Sequence, residues 1–413
     1  MPPLSGPFVA LRNRAYARLW SGSLLATSAF MMSFMLVPSV AYQISGSNAA
    51  AGFAQMGSGI AMLTVSPIGG VIADRMPKKP LVLIGQSVPA TVILATGILI
   101  TTDHITVPVL TGATLMMGLG FAFMGPARQA WVAELVPGPE FPNAVALQQI
   151  AMNVAQVLAP LFVAVLVGTV FDVGGAYLFM ASLFAIVLPL TLSLPSKPAP
   201  SQEHRPLLAD LAEGVRYVWG QPRLRILWAG FVGLVVCGFA FQTLLPGLLD
   251  RELGRDPTDI GLMFLVLAVF GLIVNVPLAG VAGTPRAWVV LLGMGWLMAA
   301  GFFALAAAPT MALAVVAGIP LGIGRSGFML LDQALLMANA DRAFHGRVVS
   351  LTMMGFGSQA LLAPLWGAVA DWIGVRATLV VVGMAAAAIT AGLGLGLAVV
   401  HRADAQHGEQ ARR

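Results

Sequence analysis

The chain has 413 residues, 58% of them hydrophobic and only 9% charged, and a mean hydropathy of +0.88. A soluble domain carries roughly a quarter of its residues as charge, so a soluble fold is excluded and a polytopic membrane protein is expected. The net charge of +5 comes from basic residues in short loops, which argues against a nucleic-acid partner and for membrane lipid headgroups as the acidic neighbours. The single Cys237 excludes an internal disulfide.

Twelve apolar runs are long enough to cross a bilayer as helices: residues 19–42, 49–73, 81–102, 105–127, 144–171, 173–194, 226–249, 260–282, 287–308, 310–334, 348–370 and 377–400. Helices are expected because lipid leaves no loose backbone group satisfied and each run exceeds a barrel strand in length. The first run is too long for a signal segment and is read as retained. Lys and Arg orient the set. With both termini cytoplasmic, eighteen of the twenty-two basic residues fall inside, Arg251, Arg255 and Arg376 fall outside, and Arg325 lies in the membrane.

Between the second and third runs, GVIADRMPKK (70–79) is a short charged hairpin placing Asp74, Arg75, Lys78 and Lys79 at the membrane surface. The longest polar segment, 195–225, separates the sixth and seventh runs. Within it Leu208, Leu211, Val215 and Val218 recur at helical spacing, as in an amphipathic helix. Such a helix either lies on lipid or is a solvated linker, and both readings are open.

The two halves resemble each other. Trp20, Gly22 and Pro38 return 208 residues later as Trp228, Gly230 and Pro246. At an offset of 204, Gly118, Gly120, Gln129 and Pro160 return as Gly322, Gly324, Gln333 and Pro364. A weaker Gly-x-x-x-Asp pattern recurs at Gly70/Asp74, Gly168/Asp172 and Gly367/Asp371. The expected fold is therefore all-α, with twelve transmembrane helices in two pseudo-symmetric six-helix bundles, residues 1–194 and 226–400. A connector at 195–225 would join them, and a cytoplasmic tail at 401–413 would follow. Nested repeats of this kind characterise transporters that rock two bundles about a midplane site.

The hairpin GVIADRMPKK resembles the signature G-x-x-x-D-R-x-G-R-R/K of the major facilitator superfamily, and the resemblance runs from about residue 19 to 400. GPARQAWVAELVP with PNAVAL, DLAEGVRYVW, and HGRVVSL with GAVADWIG are similar to its enterobactin-exporter and macrolide-efflux branch. The sequence departs from that pattern at Pro77, where the signature has Gly, and at Lys78, where it has Arg. It also departs at Ser28-Ala29, where a Gly-Asp pair is frequent, and at Gln156, where an Arg is frequent before a Gly-Pro pair. The resemblance implies a monomer in a bacterial inner (plasma) membrane, with a small-molecule substrate, protons or another coupling ion, and no cofactor. It also implies that Asp74 meets the start of the eleventh run.

Candidate gating residues are Gly70, Asp74, Arg75, Lys78 and Lys79. The alternative is that the basic residues serve only topology. Arg128 and Asp332 align across the 204 offset with opposite charge, as for a cytoplasmic lock between halves; the alternative is that each is satisfied within its own half. Pro160 and Pro364 loosen the fifth and eleventh runs at matched places. Arg325 and Asp332 share a helix face about 10.5 Å apart, too far to pair directly. Arg325 suits an anionic or carbonyl-rich solute, or else satisfies a backbone carbonyl or helix end. Gln149, Asn153, Gln156, Gln242, Asn275 and Gln359 are candidates to line a cavity with amides, or to bond neighbouring helices. Met31, Phe34 and Phe123 are candidates for its apolar wall.

The expected function is secondary export of a small amphiphilic molecule, a drug or siderophore, by alternating access with proton antiport. An importer or uniporter of a polar nutrient is the nearest rival, and a nontransporting membrane sensor is the alternative from another class. No Walker-type motif and no H-E-x-x-H exists, and all five histidines fall in loops or tails, so an enzyme is not expected.

Overall fold

The computed structural model describes residues 8–136, 138–167, 169–196, 207–341 and 344–410, with side chains described there except at 66–75, 126, 207–211 and 401–410. The fold is all-helical, and the described residues contain no sheet. Thirteen α-helices follow in order: α1 (Arg14–Ser45), α2 (Asn48–Arg75), α3 (Lys78–Thr101), α4 (Val107–Leu135), α5 (Phe141–Leu166), α6 (Val173–Leu192), α7 (Leu207–Gly220), α8 (Pro222–Gly247), α9 (Ile260–Val281), α10 (Ala287–Ala307), α11 (Met311–Asn339), α12 (His345–Ile373) and α13 (Val375–Gln410). Each of the twelve apolar runs overlaps a helix, although α5 ends at Leu166, short of the end of the 144–171 run. Among the described residues, eleven helices are long and apolar enough to cross a membrane: all but α2 and α7.

Local chemistry sets the helix ends. Asn13 caps α1 by accepting from the N–H groups of Ala15 and Tyr16, and Asp172 caps α6 by accepting from Gly175. Pro in the first turn opens α4, α5 and α8, where its missing N–H costs nothing. Gly46, at φ 66°, closes α1 in the left-handed conformation that glycine adopts without strain. The C-terminal end of α8 passes into a π-helical turn, Leu248–Glu252.

Packing divides the helices into two sets that correspond pair for pair. In the first, α1 packs on α5 and α6, α2 on α4, and α3 on α4 and α6. In the second, α8 packs on α12 and α13, α9 on α11, and α10 on α11 and α13. Across the two sets, α2 lies along α12 and α5 along α9. The face where α1 begins is here the near face, and the face where α1 ends is the far face.

The segment 195–225 contains the expected amphipathic helix, α7, and its side chains show what it packs on. The Tyr217 ring stacks on Phe344 with centroids 3.9 Å apart, and the Tyr217 hydroxyl donates to Asp341 Oδ2 (3.1 Å) while accepting from the Asp341 N–H (2.8 Å). Arg347 pairs with Glu213 at 3.0 Å. Thus α7 is docked on the α11–α12 connection at the near face.

Candidate functional site

The far face is held by polar contacts between the two sets. Asp371, at the end of α12, accepts from the N–H groups of Asn48 and Ala49 (2.9 Å each), from Asn48 Nδ2 (3.0 Å) and from the Ser47 hydroxyl (2.6 Å). A carboxylate at a helix N-terminus satisfies N–H groups that have no partner within the helix and meets the positive end of its dipole. The π-helical turn adds two further ties. Asp250 accepts from the Tyr42 hydroxyl at 2.9 Å, and Arg251 donates to the Gly46 carbonyl while lying 3.8 Å from Asp371. Deeper in, Gln55 on α2 donates to Thr243 on α8 at 3.1 Å, with both residues fully buried.

The α2–α12 seam beneath this clasp brings backbone against backbone. A Cβ on Gly52 would lie 2.6 Å from the Ala363 carbonyl and from Pro364 Cα, and one on Gly59 would lie 2.5 Å from the Leu361 nitrogen. Only glycine permits that approach.

Between the two sets lies a chamber of about 750 Å³. It is lined from α1, α2, α4 and α5 on one side and from α8, α9, α11 and α12 on the other, so α3, α6, α10 and α13 stand outside it. Its lining residues Gln149 and Gln333 are exposed, and they lie in the near-face halves of α5 and α11. Residues 35–42 of α1 and residues 240–249, running from α8 into the π-helical turn, are continuously buried. The chamber is therefore shut at the far face and open at the near face.

Met31, Phe34, Gln149, Asn153, Gln156, Gln242, Asn275, Arg325 and Gln359 all line this chamber, as does Pro160. Phe123 does not. Phe121, two positions earlier on α4, lines it instead and stacks on Phe30 with centroids 4.7 Å apart. Gln149 donates to Asn153 at 3.2 Å, so part of the amide stripe satisfies itself along α5. The Arg325 guanidinium sits 4.7 Å from the Phe239 ring centroid and 5.7 Å from that of Phe241.

Asp332 is fully buried outside the chamber lining, and neither of its carboxylate oxygens has a hydrogen-bond partner. The reason is angular. The lining stripe of α11 runs through Arg325, Ser326, Met329, Leu330, Gln333 and Ala334, and Arg325 is at its edge. Seven residues at 100° each bring Asp332 about 20° past that edge, away from the chamber. Arg128 is buried too, with Nη2 3.9 Å from Met152 Sδ and Nε without a partner. Arg128 and Asp332 do not pair in this conformation.

At the near face, Lys79 donates to the Leu192 and Leu194 carbonyls at 2.7 and 2.8 Å, closing the end of α6 within its own set. Lys78 is buried and donates to the Met76 carbonyl at 3.3 Å. The Gly70, Asp74 and Arg75 side-chain positions lie outside the described residues. Pro364 falls on the α2–α12 seam opposite Gly52.

The clasp residues Asn48, Asp250, Arg251 and Asp371 were not singled out as a site by the sequence reading. One signal existed for them: Gly367/Asp371 repeats Gly70/Asp74.

An alternating pair-for-pair bundle around a central chamber leads to one comparison that decides the family, a match to the Major Facilitator Superfamily profile over residues 19–359. The chain belongs to the Major Facilitator Superfamily. It is 27% identical over 261 residues to the multidrug efflux pump Tap of Mycolicibacterium fortuitum, covering 59% of this chain and 61% of that protein. It is 25% identical over 250 residues to multidrug resistance protein D of Escherichia coli (strain K12), covering 59% and 60%. The chain thus spans about three-fifths of the length of these curated relatives. Among solved structures, the nucleoside transporter NupG superposes with a TM-score of 0.72 at 15% identity, covering 93% of this chain and 99% of that one. An inward-facing, unoccupied bacterial homologue of the human lysosomal transporter Spinster gives 0.73 at 13% identity, covering 92% and 96%. At such identities these two matches establish the fold alone.

Proposed function

We propose that this superfamily member is a secondary transporter that exports small amphiphilic molecules by alternating access, driven by an ion gradient in which protons are the first candidate. The observation carrying the proposal is the chamber, walled by four helices from each set, shut at the far face by inter-set contacts and open at the near face. A bundle of this kind exposes the same walls to the other side once the clasp parts and the near face closes. The efflux relatives support the outward direction. The positive-inside bias supports placing the near face and both termini on the cytoplasmic side of a bacterial inner membrane.

In this reading residues 1–194 and 226–400 are the rocking bundles, and 195–225 is the connector. Arg128 and Asp332 would meet when the near face closes, joined by Asp74 and Arg75 of the hairpin. Protein reconstituted in proteoliposomes should carry out counterflow of a fluorescent amphiphile, with efflux accelerated by an opposing pH gradient. Absence of counterflow removes the transport reading, and pH-independent flux removes proton coupling.

A further inference from the structure

We propose that the chamber selects amphiphilic anions: a solute whose carboxylate or other acidic group meets Arg325 and whose flat aromatic body lies against Phe30, Phe34 and Phe121. This rests on the export reading and names the substrate class of that same chamber. Among the described residues lining the chamber Arg325 is the single charged one, and neither Asp nor Glu is present. The stem of Arg325 packs across Gly238, where a Cβ would approach its Cγ to 3.3 Å. Its head faces the neutral rings of Phe239 and Phe241, which attract the charge without cancelling it. Arg325 Nε is buried and has no hydrogen-bond partner.

A partly buried charge is stabilised when a partner of opposite sign arrives. Asp332 does not serve, since it lies about 10.5 Å farther along α11 and outside the lining. An entering anion therefore supplies the acceptor that the planar, two-pronged donor of Arg325 lacks, whereas an entering cation meets like charge with no carboxylate to offset it.

Two further groups refine the class. Gln242 is only 5% exposed, and its Oε1 has no partner; the Oδ1 of Asn275 has none either. Both residues line the chamber, so a hydroxyl or N–H donor near the acidic group of the solute would satisfy them. The opposite wall is aromatic, with Phe30 stacked on Phe121 and, at 6.4 Å between centroids and 12° between planes, on Phe34. The volume suits a drug-sized molecule.

The test uses purified full-length protein in nanodiscs and three probes of matched shape: 2-naphthylacetate, 2-naphthylacetamide and 2-(2-naphthyl)ethylammonium. Titration calorimetry should give the acetate an affinity at least about tenfold above the other two. Arg325→Gln should bring acetate to within about twofold of the acetamide. Arg325→Lys should keep acetate ahead of the ammonium probe. Ammonium binding as tight as acetate, an acetate preference surviving in Arg325→Gln, or no acetate binding overturns the proposal. The wild-type ranking decides alone if either variant misfolds. Counterflow together with cation preference sinks the site and spares the export reading, while anion preference without counterflow does the reverse.

Discussion

The Asp371 carboxylate, at the end of α12, accepts from the backbone N–H of Asn48 at 2.9 Å and so caps the first turn of α2 from across the molecule. It is the cap of one helix supplied by another bundle. Because the Asp371 side chain is about a quarter exposed, its bonds fall at the low end of the range for charged acceptors, about 1.5 kcal/mol, or roughly tenfold in a two-state ratio. Asp371→Asn should move the population by about that factor toward a far-face-open state. Spin labels at Ser45 and Arg255 should then report a longer-distance component, and an unchanged distribution would show that the cap holds nothing shut.

A larger effect is expected in the seam. Gly52→Leu puts a side chain where a Cβ already meets the Ala363 carbonyl at 2.6 Å, and no flexible neighbour can retreat. Counterflow should fall at least about tenfold relative to wild type at equal amounts of inserted protein. Gly112→Leu, on α4 with nothing within 4 Å of its Cβ, is the matched control and should transport at the wild-type rate.

Arg128 and Asp332 are each buried in their own set in this conformation. If they meet when the near face closes, Arg128→Gln and Asp332→Asn should each slow flux, and the charge-exchanged double variant Arg128→Asp/Asp332→Arg should recover part of it. A double-mutant cycle on flux rates gives the coupling directly. Additive losses would leave the two residues as unrelated internal charges.

Docking of α7 yields a proteolytic prediction. Tyr217→Ala removes both the stack on Phe344 and the bonds to Asp341, leaving α7 held by buried Val218, the Trp219–Trp228 ring contact and the Glu213–Arg347 pair, the last worth only about 0–1 kcal/mol at its exposure. Limited trypsin digestion should then cut faster at Arg216 and Arg223. Equal cutting in Tyr217→Ala and wild type would mean that α7 is held by something else.

Much of this architecture was legible in the sequence, because lipid makes each spanning segment announce itself as a long apolar run. Repeated Trp, Gly and Pro positions gave the pairing of α1 with α8 and of α5 with α12. The chamber amides were found from three-and-four spacing, as at Gln149, Asn153 and Gln156. What escaped was rotation. Phe123 was expected in the wall where Phe121 stands, because apolar composition around α4 gives no moment by which to orient it. Asp332 was expected on Arg325's face, and the 20° drift of seven residues carries it off the edge. The far-face clasp escaped for another reason: Asp371 touches α2 only through tertiary folding, and 323 positions separate it from Asn48.

The bareness of the α2–α12 contact bears on how such a machine can evolve. Two helices that touch through their main chains have few interlocking side chains to disengage, so tilting one against the other requires little repacking. The preference for one posture then rests on a handful of polar groups at the rim. Drift at those few sites could retune which posture the molecule favours at rest while leaving the cargo chamber chemically untouched.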